Sequence, residues 1–216
     1  MHVTPITGII SAWSTLFIPL LFLLLRPQRL VRANWPVLLY SLVHFTVTQL
    51  HDQLNRSAFH YQLNFLIVVL EYALLAWLLW LCLQKRRNRR WVSGGSALLA
   101  ILITATLLRP GAVFYSSISG ISVILLISYS MFFFMEWITA ETFEPINARP
   151  EFWMVTGVLF YVAGNFFYFI SLRNHYTESL LIHHLVNLLR NACFGMAMLQ
   201  SWTMGKSDPI SAPHKF

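Results

Sequence analysis

A glutamate and an arginine, Glu71 and Arg190, sit deep inside long apolar runs of a 216-residue chain. A charge surrounded by hydrocarbon is costly, so each needs a partner. Counted from the outer ends of their segments at 1.5 Å per residue, Glu71 lies ~13 Å in and Arg190 ~16 Å in. The nearly matched depths predict that they pair, directly or through water. Around Arg190 runs ESLLIHHLVNLLRNACFGMAMLQSW (Glu178–Trp202). At about 100° per residue it places His183, Asn187, Arg190 and Phe194 on one helical face, flanked by His184 and Asn191. Leu185, Leu188, Leu189, Ala192, Met196 and Leu199 fall opposite, so one side suits lipid and the other suits protein or trapped water.

Other segments offer matching stripes. Ser41, His44, Thr48 and His51 share a face, and Tyr161 and Asn165 share another, with Glu71 and Asn187 as candidate partners for Asn165. The full polar set is His44, Glu71, Tyr161, Asn165, His183, Asn187, Arg190 and Asn191. Turned inward, it forms a polar pocket open to the outer side, because intramembrane ionisable residues lean functional. The bland reading is a hydrogen-bond network that only packs helices. Histidines raise two more chemistries. Haem needs facing histidines, and His44 with His183 or His184 is the available pair, at poorly matched depth. Zinc accepts three histidines plus water, here from His44, His51, His183 and His184, but no HExxH motif is present. A retinal Schiff base requires a lysine in the last segment, and none is there. No cofactor is predicted.

These side chains need long apolar elements to hold them. The chain is 57% hydrophobic and 11% charged, against about a quarter charged in ordinary soluble domains. Seven segments approach the ~20 residues that a ~30 Å hydrocarbon core requires. They are Ile6–Leu25, Asn34–Leu50, Gln62–Leu83, Trp91–Leu108, Val113–Trp137, Phe152–Leu172 and Ser179–Trp202. The expected fold is an all-α membrane protein, a seven-helix transmembrane bundle over 1–203 with a disordered cytoplasmic tail at 204–216. Thr7, Ser11 and Ser14 form a stripe in the first segment, and Pro19 is expected to kink its inner half.

The net charge of +7 is confined to short loops, which points to topology and away from nucleic acid. One side collects Arg26, Arg29, Arg32, Lys85, Arg86, Arg87, Arg89, Arg90, Arg149, Lys206 and Lys215. The other holds Arg56, Arg109 and Arg173. Eleven against three orients the N-terminus outside and the C-terminus in the cytoplasm. The cluster Lys85, Arg86, Arg87, Arg89 and Arg90 anchors that topology at the lipid surface and is a candidate docking face for an acidic cytoplasmic protein. Glu141 and Glu144 are placed to reach it. Asn55-Arg56-Ser57 fits a glycosylation sequon. Cys82 and Cys193 read as small buried hydrophobes. The bilayer is the expected partner, with a second copy of the chain another candidate.

Glu151–Tyr168 (EFWMVTGVLFYVAGNFFY) and Ile182–Ala197 (IHHLVNLLRNACFGMA) resemble the closing helices of seven-span bacterial membrane proteins. That group is similar to the membrane sensory halves of some histidine kinases. The resemblance covers the last third of the chain. It implies a signal-input bundle in a bacterial inner membrane, with Asn165, Asn187 and Arg190 interior. The chain lacks a phospho-acceptor helix and an ATP-binding domain, so any signalling output comes from a partner protein or does not exist. The expected function is therefore a non-enzymatic sensor or receptor-like protein that binds a small or lipidic ligand. The alternatives are a membrane enzyme or redox protein using His44, His183 and His184, and a structural subunit without ligand.

Overall fold

A computed structural model describes residues 3–25, 32–54, 60–108, 112–140, 145–171 and 176–207. Among them every regular element is helical and no strand occurs. The helices are α1 (Val3–Ser14), α2 (Phe17–Leu25), α3 (Asn34–Leu54), α4 (His60–Cys82), α5 (Arg86–Leu108), α6 (Ala112–Ile138), α7 (Pro150–Ser171) and α8 (Tyr176–Ser207), with a 3₁₀ turn at Ile146–Ala148 before α7. Among the described residues, three stretches are long and apolar enough to cross a membrane, Ile6–Leu24, Phe65–Cys82 and Ile118–Ile138. The sequon at Asn55, the acids Glu141 and Glu144, the His51 side chain and residues 208–216 lie outside the described residues. At the C-terminal end, α8 continues through Ser207.

The helices close into a ring. Helix α3 packs on α2 and α4, α4 on α6, α6 on α7, and α7 on α8; α8 returns to both α1 and α2. Helix α5 stands outside the ring against α4 and α6, and α4 touches α7 across it. The most extensive pair is α7 with α8. Two glycines permit that approach. A Cβ on Gly164 would run into the Val186 side chain, and one on Gly157 would meet Cys193 Cβ at 3.0 Å and the Phe194 ring at 3.2 Å. Small residues let backbones close up where lipid gives helices no hydrophobic reason to associate.

The first apolar segment is broken in two, and earlier than Pro19 itself. Proline has no N–H and crowds the carbonyl four residues before it, which is that of Thr15. The helix ends at Ser14, bonds tighten to the three-residue spacing (Thr15 N–H to Ala12 O, 3.3 Å; Leu16 N–H to Trp13 O, 3.0 Å), and α2 begins at Phe17. The expected kink in the inner half is therefore a break near the middle of the segment, between α1 and α2.

Large apolar side chains face outward as well as inward: Leu23, Leu24, Ile101, Leu185 and Phe167 are more than 60% exposed. The interior, mostly apolar, also holds Arg190, Asn34, Ser41 and Ser130 fully buried. Leu75, Leu78, Leu79, Phe133, Met154, Phe194 and Met198 form the packed interior.

Contacts near the helix termini bring several connections to one end. Ser201 of α8 donates to Asn34 Oδ1 at the start of α3 (3.4 Å). Gln200 and Trp153 both donate to Asn147 O (2.7 and 3.0 Å). The guanidinium of Arg149 lies 4.9 Å over the Trp137 ring, and Glu136 of α6 reaches the α4–α5 connection. The basic stretch 85–90 and Arg149 thus share one end of the bundle.

Candidate functional site

The polar stripes of α3, α4, α7 and α8 meet around Arg190. Its side chain is fully buried. Nε–H and Nη2–H both donate to Asn191 Oδ1 at 3.1 Å, and Nη1–H donates to the Tyr40 hydroxyl. The guanidinium carbon lies 4.4 Å from the Tyr161 ring centre and 4.9 Å from that of Tyr40. Two aromatic faces therefore replace water around the cation, an arrangement worth about 2 kcal/mol when desolvated.

Glu71 completes the contact through tyrosine. The Tyr40 hydroxyl accepts from Arg190 and donates to Glu71 Oε1 at 2.6 Å. The Tyr161 hydroxyl donates to the same oxygen. The expected pairing, direct or through water, is corrected: the two charges are joined by the Tyr40 hydroxyl. The reason is geometric: the Tyr40 hydroxyl from α3 stands between the two charges and bonds to each. Tyr40 was absent from the sequence-derived set. The available signal is its position one turn before His44 on the α3 stripe.

Asn191 turns the network toward the start of the chain. Its Nδ2 donates to Ser14 Oγ at 2.7 Å and to Thr15 Oγ1 at 3.3 Å. Both hydroxyls lie at the α1–α2 break, so the interruption that Pro19 imposes presents them to α8. Ser14, Thr15 and Asn191 were not linked by sequence reasoning.

A second branch lies further along α8. His183 Nδ1 pairs with Asn165 Oδ1 at 2.7 Å, and Asn187 Nδ2 pairs with His183 Nε2 at 3.1 Å. One ring proton satisfies both: Nδ1 donates and Nε2 accepts. The candidate partners expected for Asn165, Glu71 and Asn187, give way to His183, which lies nearest across the α7–α8 interface. His184 packs beside Gly8 of α1, where an added Cβ would meet its Nε2 at 3.2 Å.

Two cavities flank this network. The first, about 270 Å³, is lined by apolar Val43, Val47, Ile67 and Leu74 and by polar Tyr40, His44, Thr48, Glu71, Tyr161 and His183. The second, about 140 Å³, lies on the α6 side, with Ser119, Ser122 and Asn165 in its wall. Glu71, Tyr161 and His183 border both and form the partition between them. Among the described residues no three His, Cys, Asp or Glu side chains converge as a metal-binding group. Cys82 and Cys193 are buried free thiols.

Comparison with protein families, curated proteins and solved structures gives no match.

Proposed function

We propose that the chain is a non-enzymatic membrane sensor or receptor-like protein whose ligand, small or lipidic, occupies the 270 Å³ cavity between α3, α4, α7 and α8. In this reading α1 and α2 together make one of seven spans. The N-terminus faces outside and the C-terminus the cytoplasm of a bacterial inner membrane, as the eleven-to-three distribution of Lys and Arg favours. The observation that carries the reading is the composition of the cavity wall: apolar on one side, and polar where Tyr40, His44, Glu71, Tyr161 and His183 converge. Binding sites for small molecules have this mixed character. A ligand there touches the link between Glu71 and Arg190, so it biases how α4 and α8 sit together. The exposed face of Lys85, Arg86, Arg87 and Arg90 supplies a surface through which a cytoplasmic partner reads that change.

The test is to purify the wild-type chain and a Val43→Trp variant from membranes and analyse their solvent extracts by mass spectrometry. The expected outcome is one compound retained near stoichiometry by the wild type and lost from the variant. If neither retains a compound and the cavity exchanges only water, the polar interior is a packing network and the receptor reading falls. Metal analysis and an absorption spectrum of the same preparation test the redox alternative built on His44, His183 and His184.

A further inference from the structure

Two polar atoms of the cavity wall, Glu71 Oε2 and His44 Nδ1, have no hydrogen-bond partner among the described residues. Both hydrogen bonds to Glu71 land on Oε1, and no donor among the described residues reaches Oε2. His44 packs its ring 5.6 Å from that of Tyr40, yet its Nδ1 is buried with no partner among the described residues. Buried polar atoms in native proteins nearly always find partners, so the buried His44 Nδ1 calls for an explanation, and the half-buried Glu71 offers a free acceptor beside it. Both residues border the same 270 Å³ space.

The chemistry of the two groups narrows what fits. Carboxylate oxygen only accepts, so the occupant must donate at Glu71 Oε2. An imidazole carries one donor and one acceptor nitrogen, so at His44 the occupant can accept or donate. An ammonium would satisfy Glu71, but that carboxylate is already balanced by Arg190 through Tyr40. A further cation would bring an unpaired charge into a low-dielectric site. A carboxylate would lie against Glu71 and be repelled. A hydroxyl group can donate to Glu71 Oε2, accept from the His44 ring and add no net charge. The remaining wall, Val43, Val47, Ile67 and Leu74, suits an apolar body.

Resting on the receptor reading above, we infer that the cavity takes a neutral amphiphile headed by a hydroxyl, which donates to Glu71 and accepts from His44. Because Oε1 alone carries the two tyrosine bonds, this ligand binds without breaking the Glu71–Tyr40–Arg190 link. An aliphatic lipid alcohol and a phenol share the required chemistry.

The experiment measures the thermal unfolding midpoint of the full chain in detergent across titrations of n-decanol, para-butylphenol, n-decylamine, n-decanoate and n-decane. A hydroxyl probe is expected to raise the midpoint by several degrees and to bind at least about tenfold tighter than decane and decylamine. Whichever of decanol and butylphenol is tighter identifies the source. His44→Phe keeps the ring and removes its nitrogens. It should leave the ligand-free midpoint within a few degrees and erase the preference for alcohol over alkane. Should that variant fail to fold, Val47→Phe narrows the same cavity and should weaken every probe together. Tighter binding of decylamine or decanoate overturns the hydroxyl assignment while leaving the cavity a binding site. No saturable binding of any probe overturns both.

Discussion

Two carboxylates, the buried Glu136 and the half-buried Glu71, are satisfied in opposite ways. Glu136, on α6, is 6% exposed and uses both oxygens. Oε2 accepts from the Gln84 backbone N–H at 2.7 Å; Oε1 accepts from the Lys85 N–H at 3.1 Å and from Asn88 Nδ2 at 2.8 Å. These donors belong to the α4–α5 connection and the first turn of α5. Arg86, Arg87 and Arg89 in that turn oppose the helix dipole, so a carboxylate beside it offsets an unfavourable arrangement. Lys85 Nζ adds a bond to Thr139 Oγ1 at 3.0 Å, and Arg89 donates to Leu83 O at 2.7 Å. Glu71 has side-chain partners only, from α3 and α7, both on one oxygen, and its side chain lines a cavity. A carboxylate bound to nearby backbone fixes a corner of the fold. One held by tyrosines from two other helices ties α3, α4 and α7 together.

The contrast can be broken by mutation. The largest effect is expected for Arg190→Leu, which strips Glu71 of its counter-charge and should cost about 3–5 kcal/mol, read as a collapse of the thermal midpoint in detergent. The double variant Arg190→Leu with Glu71→Leu should recover much of that loss, since removing both charges leaves neither stranded. Recovery absent from the double variant would show the two groups to be uncoupled. Glu136→Ala leaves three donors without their acceptor and should cost roughly 3 kcal/mol, with the damage confined to the α4–α5 corner by hydrogen exchange. Tyr40→Phe removes the hydroxyl that joins the two charges and should cost about 2 kcal/mol, the value for a hydrogen bond to a charged group. Asn88→Ala, which takes one of three donors from Glu136, should cost about 1 kcal/mol in denaturant unfolding. Should Asn88→Ala prove costlier than Tyr40→Phe, the ranking of the two carboxylates would reverse.

The helical segments and the polar face of α8 were legible because apolar periodicity and the price of an unpaired intramembrane charge leave few solutions. Asn187, Arg190, Asn191 and Phe194 are buried, while Leu185, Leu189, Met196 and Leu199 are exposed, as the helical wheel orders them. Tyr40 was hidden because an aromatic residue in an apolar run reads as packing, and only the facing helices reveal that its hydroxyl is used. At the basic connection Glu136 enters from within α6, while Glu141 and Glu144, placed nearest to it by loop reasoning, lie outside the described residues. The position of the α1–α2 break follows from the carbonyl that Pro19 displaces, a local rule that acts one turn upstream of the proline. Its use by Asn191, 176 residues from Thr15, belongs to the tertiary fold and leaves no trace in the segment itself.

The groups that make Arg190 tolerable in the interior, apart from its neighbour Asn191, all precede it in the chain: Ser14 and Thr15 through Asn191, then Tyr40, Glu71 and Tyr161. During synthesis the cation is thus translated after Tyr40, Glu71 and Tyr161, and its remaining acceptor, Asn191, follows in the next position. Helix α8, which carries the cation, packs on α1, α2 and α7 and so joins the two sides of the circle of helices.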